Sequence, residues 1–242
     1  MSVRGSMPVG PSVGKAAPVN NISTTFTAND LLLMLQGAGV TFLLTIVSGI
    51  GGTVLGFLIG WGRSLRAPWL YYPLGAYIEI MRAVPLIIQF VLMNSFMAIL
   101  GYAINPFLSG IISLTLYIAA YVAEVVRAGI DAVPHPMVRA ARGLGLGYIQ
   151  AFRLVVVPLG LKTVLPAWTG LMLGLMKDTS LIAVLGASPP ELLRSSQIII
   201  TRIQEPLAVL TGAGAFYFIM CWLITLAVRR YEQRPLLQSL GR

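Results

Sequence analysis

Three stretches of this chain, Leu31 to Gly62, Ala83 to Ala123 and Pro206 to Val228, contain no acidic or basic side chain. Crossing the hydrocarbon of a bilayer takes about 20 predominantly apolar residues, so each run is long enough to span a membrane. A soluble protein with one large core has no use for them, because its surface helices keep a charged face toward water. The middle run is long enough for two crossings and carries its own break from Gly101 to Pro106. A weaker span follows from about Leu165 to Gly186, with Lys177 and Asp178 inside it. Backbone groups in lipid must satisfy one another, which an α-helix does within a single segment. The expectation is an all-α, polytopic membrane protein with five transmembrane helices. Composition agrees, at 57% apolar and 10% charged, with a mean hydropathy of +0.83.

A net charge of +9 would point to nucleic acid in a soluble protein, but here the basic residues sort by loop. In a five-span arrangement eleven of them, from Arg63 and Arg66 to Arg234 and Arg242, fall on one side, against Arg4, Lys15, Arg194 and Arg202 on the other. Cytoplasmic loops collect Lys and Arg. The N-terminus is therefore expected outside and the C-terminus in the cytoplasm, with lipid and not nucleic acid as the surrounding partner. Residues 1–29, rich in Gly, Pro, Ser, Thr and Asn, read as a flexible tail, residues 30–232 as the transmembrane domain, and residues 233–242 as a cytoplasmic tail. With one cysteine, Cys221, and one histidine, His135, a single copy can hold neither a disulfide nor a multi-histidine metal site.

Within the first span, Gly49, Gly51, Gly52, Gly56 and Gly60 form a composition that lets neighbouring helices approach closely in lipid. Arg66 to Pro73, with Trp69, Tyr71, Tyr72 and two prolines, suits a short helix or turn at headgroup level. Glu79 and Arg82 are three apart, share a helical face and are expected to neutralise one another before Pro85, where the helix must kink or begin. Glu124, Arg127 and Asp131, at spacings of three and four, should pair on one face and fix the exit of the third span. Lys177 and Asp178 are adjacent, point in different directions, and each calls for a partner or a water-filled path.

Between the third span and the fourth lies a polar interruption, about residues 131–160, that must face water. It contains Val138, Arg139-Ala140-Ala141, Gly143, Gly145, Gly147, Phe152, then Val155, Val157 and Pro158. Gly145-Leu-Gly147 can turn the chain, and Gly147 can cap a second short helix from Tyr148 to about Leu154 before Pro158 stiffens the return. This segment resembles the Glu-Ala-Ala loop of binding-protein-dependent ABC importer permeases. The family pattern is Glu-Ala-Ala, three residues, Gly, nine residues, Ile, one residue, Leu-Pro. Here the spacing is kept, with Arg139 in place of the acid and Val155 and Val157 as apolar exchanges. Arg82 to Gln89, Ala120 to Ile130 and Lys177 to Leu181 narrow the likeness to the polar amino acid branch, over roughly Leu31 to Glu232. Where relatives usually carry an asparagine seven residues before the lysine, this chain has Gly170.

The resemblance implies the transmembrane domain of a type I importer and a subunit that is no enzyme. It carries a polar or charged amino acid delivered by an extracytoplasmic binding protein. Val138 to Pro158 would form the coupling helix that docks in a cytoplasmic ABC ATPase dimer. No cofactor is expected on this chain, since it lacks a Gly-rich loop followed by Lys and Ser or Thr, and ATP and Mg would sit on the partner ATPase. A second permease subunit completes the pathway, and the reversed charge at Arg139 favours a heterodimer over a homodimer. A zwitterion needs both charge signs along its route, which nominates Glu79, Arg82 and Gln89, then Asn94, Lys177 and Asp178. The alternatives are an ion-coupled secondary transporter or channel for small polar solutes, against which the absence of a visible inverted repeat counts, and an intramembrane enzyme, for which the acids are too scattered.

Overall fold

In the computed structural model, which describes residues 25–102 and 104–232, every regular element is helical. The long helices are α1 (Ala28–Ser64), α4 (Pro106–Asp131), α7 (Val157–Asp178) and α9 (Pro206–Glu232). Between them lie α2 (Pro68–Ala83), α3 (Leu86–Ile99), α5 (His135–Gly143), α6 (Tyr148–Ala151) and α8 (Leu192–Ile203). Four helical runs are long and apolar enough to cross a membrane, and α2 with α3, bent at 111°, make a fifth when taken as one broken span. The expected tail to residue 29 gives up Ala28 and Asn29 to α1, and its first 24 residues, like residues 233–242, lie outside the described part.

Two boundaries differ from the sequence expectation. The second span was expected wholly after Ala83, yet α3 has 14 residues, about 21 Å at 1.5 Å per residue and short of a ~30 Å core. The headgroup-level turn therefore grows into α2, a 16-residue helix that supplies the other arm. Pro85 has no N–H to continue α2 and serves as the N-cap of α3. The fourth span begins earlier than Leu165, as part of one helical run from Tyr148 to Leu185.

α4 is the central helix and α1 its main partner, joined by small residues as expected. Gly52, Gly56 and Gly60 fall at every fourth position and press onto α4; a Cβ on Gly56 would stand 2.7 Å from the Ala119 carbonyl oxygen and from Val122 Cβ. Around this contact Leu44, Phe90, Leu114, Ile118, Leu175 and Ile182 form a core from α1, α3, α4, α7 and the 3-10 turn after it. A second cluster, Met34, Leu192, Ile199 and Val209, ties α8 and α9 to the start of α1. The opposite face of α1, with Leu35, Leu43, Ile50 and Leu58, is exposed and apolar, as a lipid-facing side should be.

Candidate functional site: a coupling knuckle and a polar ladder

The polar interruption folds into a hairpin of helices held at both ends. α5 ends in a left-handed cap: Gly145 has φ +89°, the Gly145 N–H donates to the Arg142 carbonyl at 3.0 Å and the Leu146 N–H to that of Ala141 at 3.3 Å. That pattern satisfies two orphan carbonyls of α5 and needs a residue without a Cβ at the turn. Gly147 caps α6 as expected, with the Gln150 side chain accepting its N–H at 3.0 Å. The second helix is not short and separate, however. α6 passes through a π turn, Phe152–Val156, directly into α7. There the Val157 N–H donates to the Phe152 carbonyl, one residue further back than in an α-helix. The wider turn makes room for Pro158, which lacks a donor and would crowd the turn before it. At the base, α4 and α7 touch backbone to backbone: a Cβ on Gly160 would lie 2.8 Å from the Gly129 oxygen.

The residues nominated for coupling divide into two faces. Arg139, Ala140, Gly143, Gly145 and Gly147 are exposed, Val138 and Pro158 half-buried. Ala141 is buried, so it packs the knuckle rather than presenting to another surface. Phe152 is half-buried too, its ring 5.8 Å from Trp61 and 6.5 Å from Tyr148, and anchors the knuckle to the end of α1. The sequence reading did not single out the knuckle's two most exposed apolar side chains, Leu144 at 86% and Ile149 at 72%. From Ala132 to Lys162 the chain has no acidic residue, while Arg139, Arg142, Arg153 and Lys162 are basic.

Glu124, Arg127 and Asp131 pair along α4 as expected: Arg127 binds Glu124, and its other arm meets Asp131 at 2.7 Å. Arg63 of α1 joins them at 3.0 Å from Glu124, an addition not legible from local spacing. The expected Glu79–Arg82 pair does not form. Arg82 lies instead over the Tyr121 ring, 5.3 Å from its centre, and Glu79 is exposed. A tyrosine face offers a cation an attractive quadrupole in a low-dielectric setting, and it lies across the helix interface rather than along α2.

Tyr121 stacks obliquely on Tyr117 at 4.9 Å, and Tyr117 feels the charge of Asp178. Arg82, Tyr121, Tyr117 and Asp178 thus form a half-exposed polar ladder with a cation at one end and an anion at the other. The sequence reading named the two ends but not the rungs, although Tyr117, Tyr121 and Glu124 recur at the spacing of one α-helical face. Lys177 is exposed beside Asp178 in the last turn of α7, inside the helical run from Tyr148 to Leu185, and Asn94 is half-buried on α3. Gln89 has a structural duty: its amide nitrogen donates to the carbonyls of Met81 at 2.8 Å and Val84 at 2.7 Å, which the α2–α3 bend sets free. Gln89 and Ser113 also line a cleft of about 390 Å³ between the bend and α4. Among the described residues no three His, Cys, Asp or Glu side chains gather to hold a metal ion.

Residues 52–234 match the family described as "Binding-protein-dependent transport system inner membrane component". The chain belongs to this family. It is a multi-pass inner-membrane component of a transport system that works with a binding protein. Among relatives, it is 29% identical over 204 residues to the glutamine transport system permease protein GlnP of Escherichia coli (strain K12), covering 84% of this chain and 92% of that one. It is 32% identical over 210 residues to the probable amino-acid ABC transporter permease protein YckA of Bacillus subtilis (strain 168), with the same coverage. Among solved structures, an amino acid ABC transporter crystallised with histidines matches with a TM-score of 0.78 at 28% identity, over 87% of this chain and 99% of that one. The inward-facing MetNI methionine ABC transporter shares the fold, with a TM-score of 0.75 at 24% identity over 90% of this chain. The fold is that of an ABC importer transmembrane subunit.

Proposed function

We propose that this chain is the permease subunit of an ATP-driven importer for a polar or charged amino acid, delivered by an extracytoplasmic binding protein. The observation that carries the proposal is the knuckle from α5 to α6, exposed at Arg139, Ala140 and Leu144 and braced through the Phe152–Trp61 contact and the Gly129–Gly160 crossing. A helix pair fixed at both ends transmits a push, whereas a loose loop would absorb it. A cytoplasmic ABC ATPase dimer would close on ATP and Mg, drive the knuckle and open the path. This chain performs no bond chemistry and holds no cofactor. The N-terminus lies outside and the C-terminus in the cytoplasm. A second permease subunit completes the pathway, and the cationic Arg139 favours a non-identical one.

For the solute, the ladder from Arg82 to Asp178 suits a zwitterion: the guanidinium end attracts a carboxylate, the carboxylate end an ammonium group. Glu79, Asn94 and Lys177 flank it, and Gln89 keeps one amide oxygen for the solute.

Reconstitution with the ATPase and binding protein tests both halves. A cysteine at Leu144 (Leu144→Cys) should crosslink to the ATPase, and deletion of residues 135–147 should abolish uptake. Transport at full rate after that deletion would overturn the coupling role. Arg82→Ala should raise the solute concentration for half-maximal uptake, and an unchanged value would remove Arg82 from the pathway.

A further inference from the structure

The turn between α1 and α2 encloses a basin of about 280 Å³ lined by Arg63, Ser64, Arg66, Tyr71, Arg127 and Asp131. A second cavity shares Ser64, Arg66 and Asp131 with it and extends to His135, Val138 and Arg142 of the knuckle. Four guanidinium groups here, those of Arg63, Arg66, Arg127 and Arg142, meet only two carboxylates, those of Glu124 and Asp131. The salt bridges bind Arg63 and Arg127 to those acids, and the Tyr71 ring covers Arg63 at 5.2 Å. Arg66 has no such acid: no carboxylate among the described residues lies within ion-pair distance of it. Its backbone sits at φ +55°, a left-handed conformation that costs a side-chain-bearing residue energy and that accumulates at binding sites. The chain on either side of the lining residues Arg66 and Tyr71 is apolar and aromatic: Leu65 is exposed, as are Trp69 at 74% and Tyr72 at 71%. Such aromatics mark the headgroup level of a membrane.

We infer that this basin binds the phosphate headgroup of an anionic phospholipid, held by Arg66 with Arg63 and Arg127, its acyl chains lying over Leu65 and Trp69. The excess of cations selects an anion, and the apolar flanks select one with a hydrocarbon tail over a free phosphate ion. The inference rests on the orientation proposed above, with this turn on the cytoplasmic side.

The purified complex, equilibrated with mixed phosphatidylglycerol and phosphatidylcholine, tests it by native mass spectrometry. Phosphatidylglycerol should be retained in preference, and Arg66→Gln should cut that retention about fivefold, the change expected for one basic group at an anionic surface. Arg66→Lys should keep most of it, and Arg230→Gln, on the C-terminal helix, should change nothing. Equal retention of the two lipids, or equal losses from Arg66→Gln and Arg230→Gln, would overturn the site. Displacement by millimolar inorganic phosphate would make it a phosphate site and overturn the lipid. Labelling of Leu65→Cys from outside intact cells by an impermeant thiol reagent would overturn the orientation instead.

Discussion

At the scale of single residues, one added methyl reports how closely two helices meet. Gly56 and Gly39 both sit in α1, but a Cβ on Gly56 would enter the Ala119–Val122 surface, whereas nothing stands within 4 Å of one on Gly39. Gly56→Ala should therefore destabilise the protein by about 1–3 kcal/mol through overpacking. Gly39→Ala should stabilise it by up to ~1 kcal/mol, because alanine loses less backbone freedom in a helix. Thermal denaturation in detergent separates the two; equal shifts would refute the packing. Gln89 is a similar case, with its two donors committed to carbonyls at the bend. Gln89→Leu leaves those oxygens unpaired and should cost about 1–3 kcal/mol, lowering the denaturation midpoint even without solute. Arg139 is different, since it is exposed and its substitution should spare stability. Arg139→Glu should leave the midpoint unchanged and reduce uptake severalfold in the reconstituted complex, while Arg139→Lys should not.

Among the elements, α8 is tied to α1 at both ends and by its cap to α9. Its first turn packs on α1 at Gly37, where a Cβ would lie 2.9 Å from Leu192 Cα, and the Leu192 N–H reaches the Thr41 hydroxyl at 3.2 Å. Near its far end Arg202 pairs with Asp30, which also accepts the backbone N–H and hydroxyl of Thr27 at 2.8 Å. Glu191 caps the helix, accepting the N–H groups of Leu193 and Arg194 at 2.7 Å and the Tyr217 hydroxyl at 3.2 Å. Burial nonetheless dominates and raises its carboxyl above the ordinary 4.5, the three hydrogen bonds pulling the other way. A raised value means that the folded protein holds this proton more tightly than the unfolded chain. The associated stability is full below pH 4.5 and is lost as pH rises through the folded value. Glu191→Gln should flatten the fall of the denaturation midpoint over that window, and an unaltered slope would assign the pH dependence elsewhere.

For the whole molecule, the sequence carried what depends on uncharged length and on spacing within one helix: the spans, the Glu124–Arg127–Asp131 row, the glycine face of α1, and the turn at Gly145. It did not carry what one helix does to another. Glu79 and Arg82 have the three-residue spacing for pairing along α2, yet Arg82 lies over Tyr121 across the interface. Ala140 and Ala141 are equally small, and only the fold turns one outward and the other in. The broken second span was hidden because Glu79 and Arg82 interrupt the uncharged sequence between α2 and α3, so the apolar stretch from Pro68 to Ile78 reads as separate from the run that starts at Ala83. One further consequence follows from the glycine contact between α1 and α4. Helices meshed backbone to backbone cannot slip past each other by a turn without driving Ile118 or Val122 into a main chain. That pair is a keel, and a rearrangement within this chain that keeps it intact has to be taken up at joints around it, such as the bend at Val84–Pro85 or the left-handed turns at Gly186 and Gln204 that bracket α8.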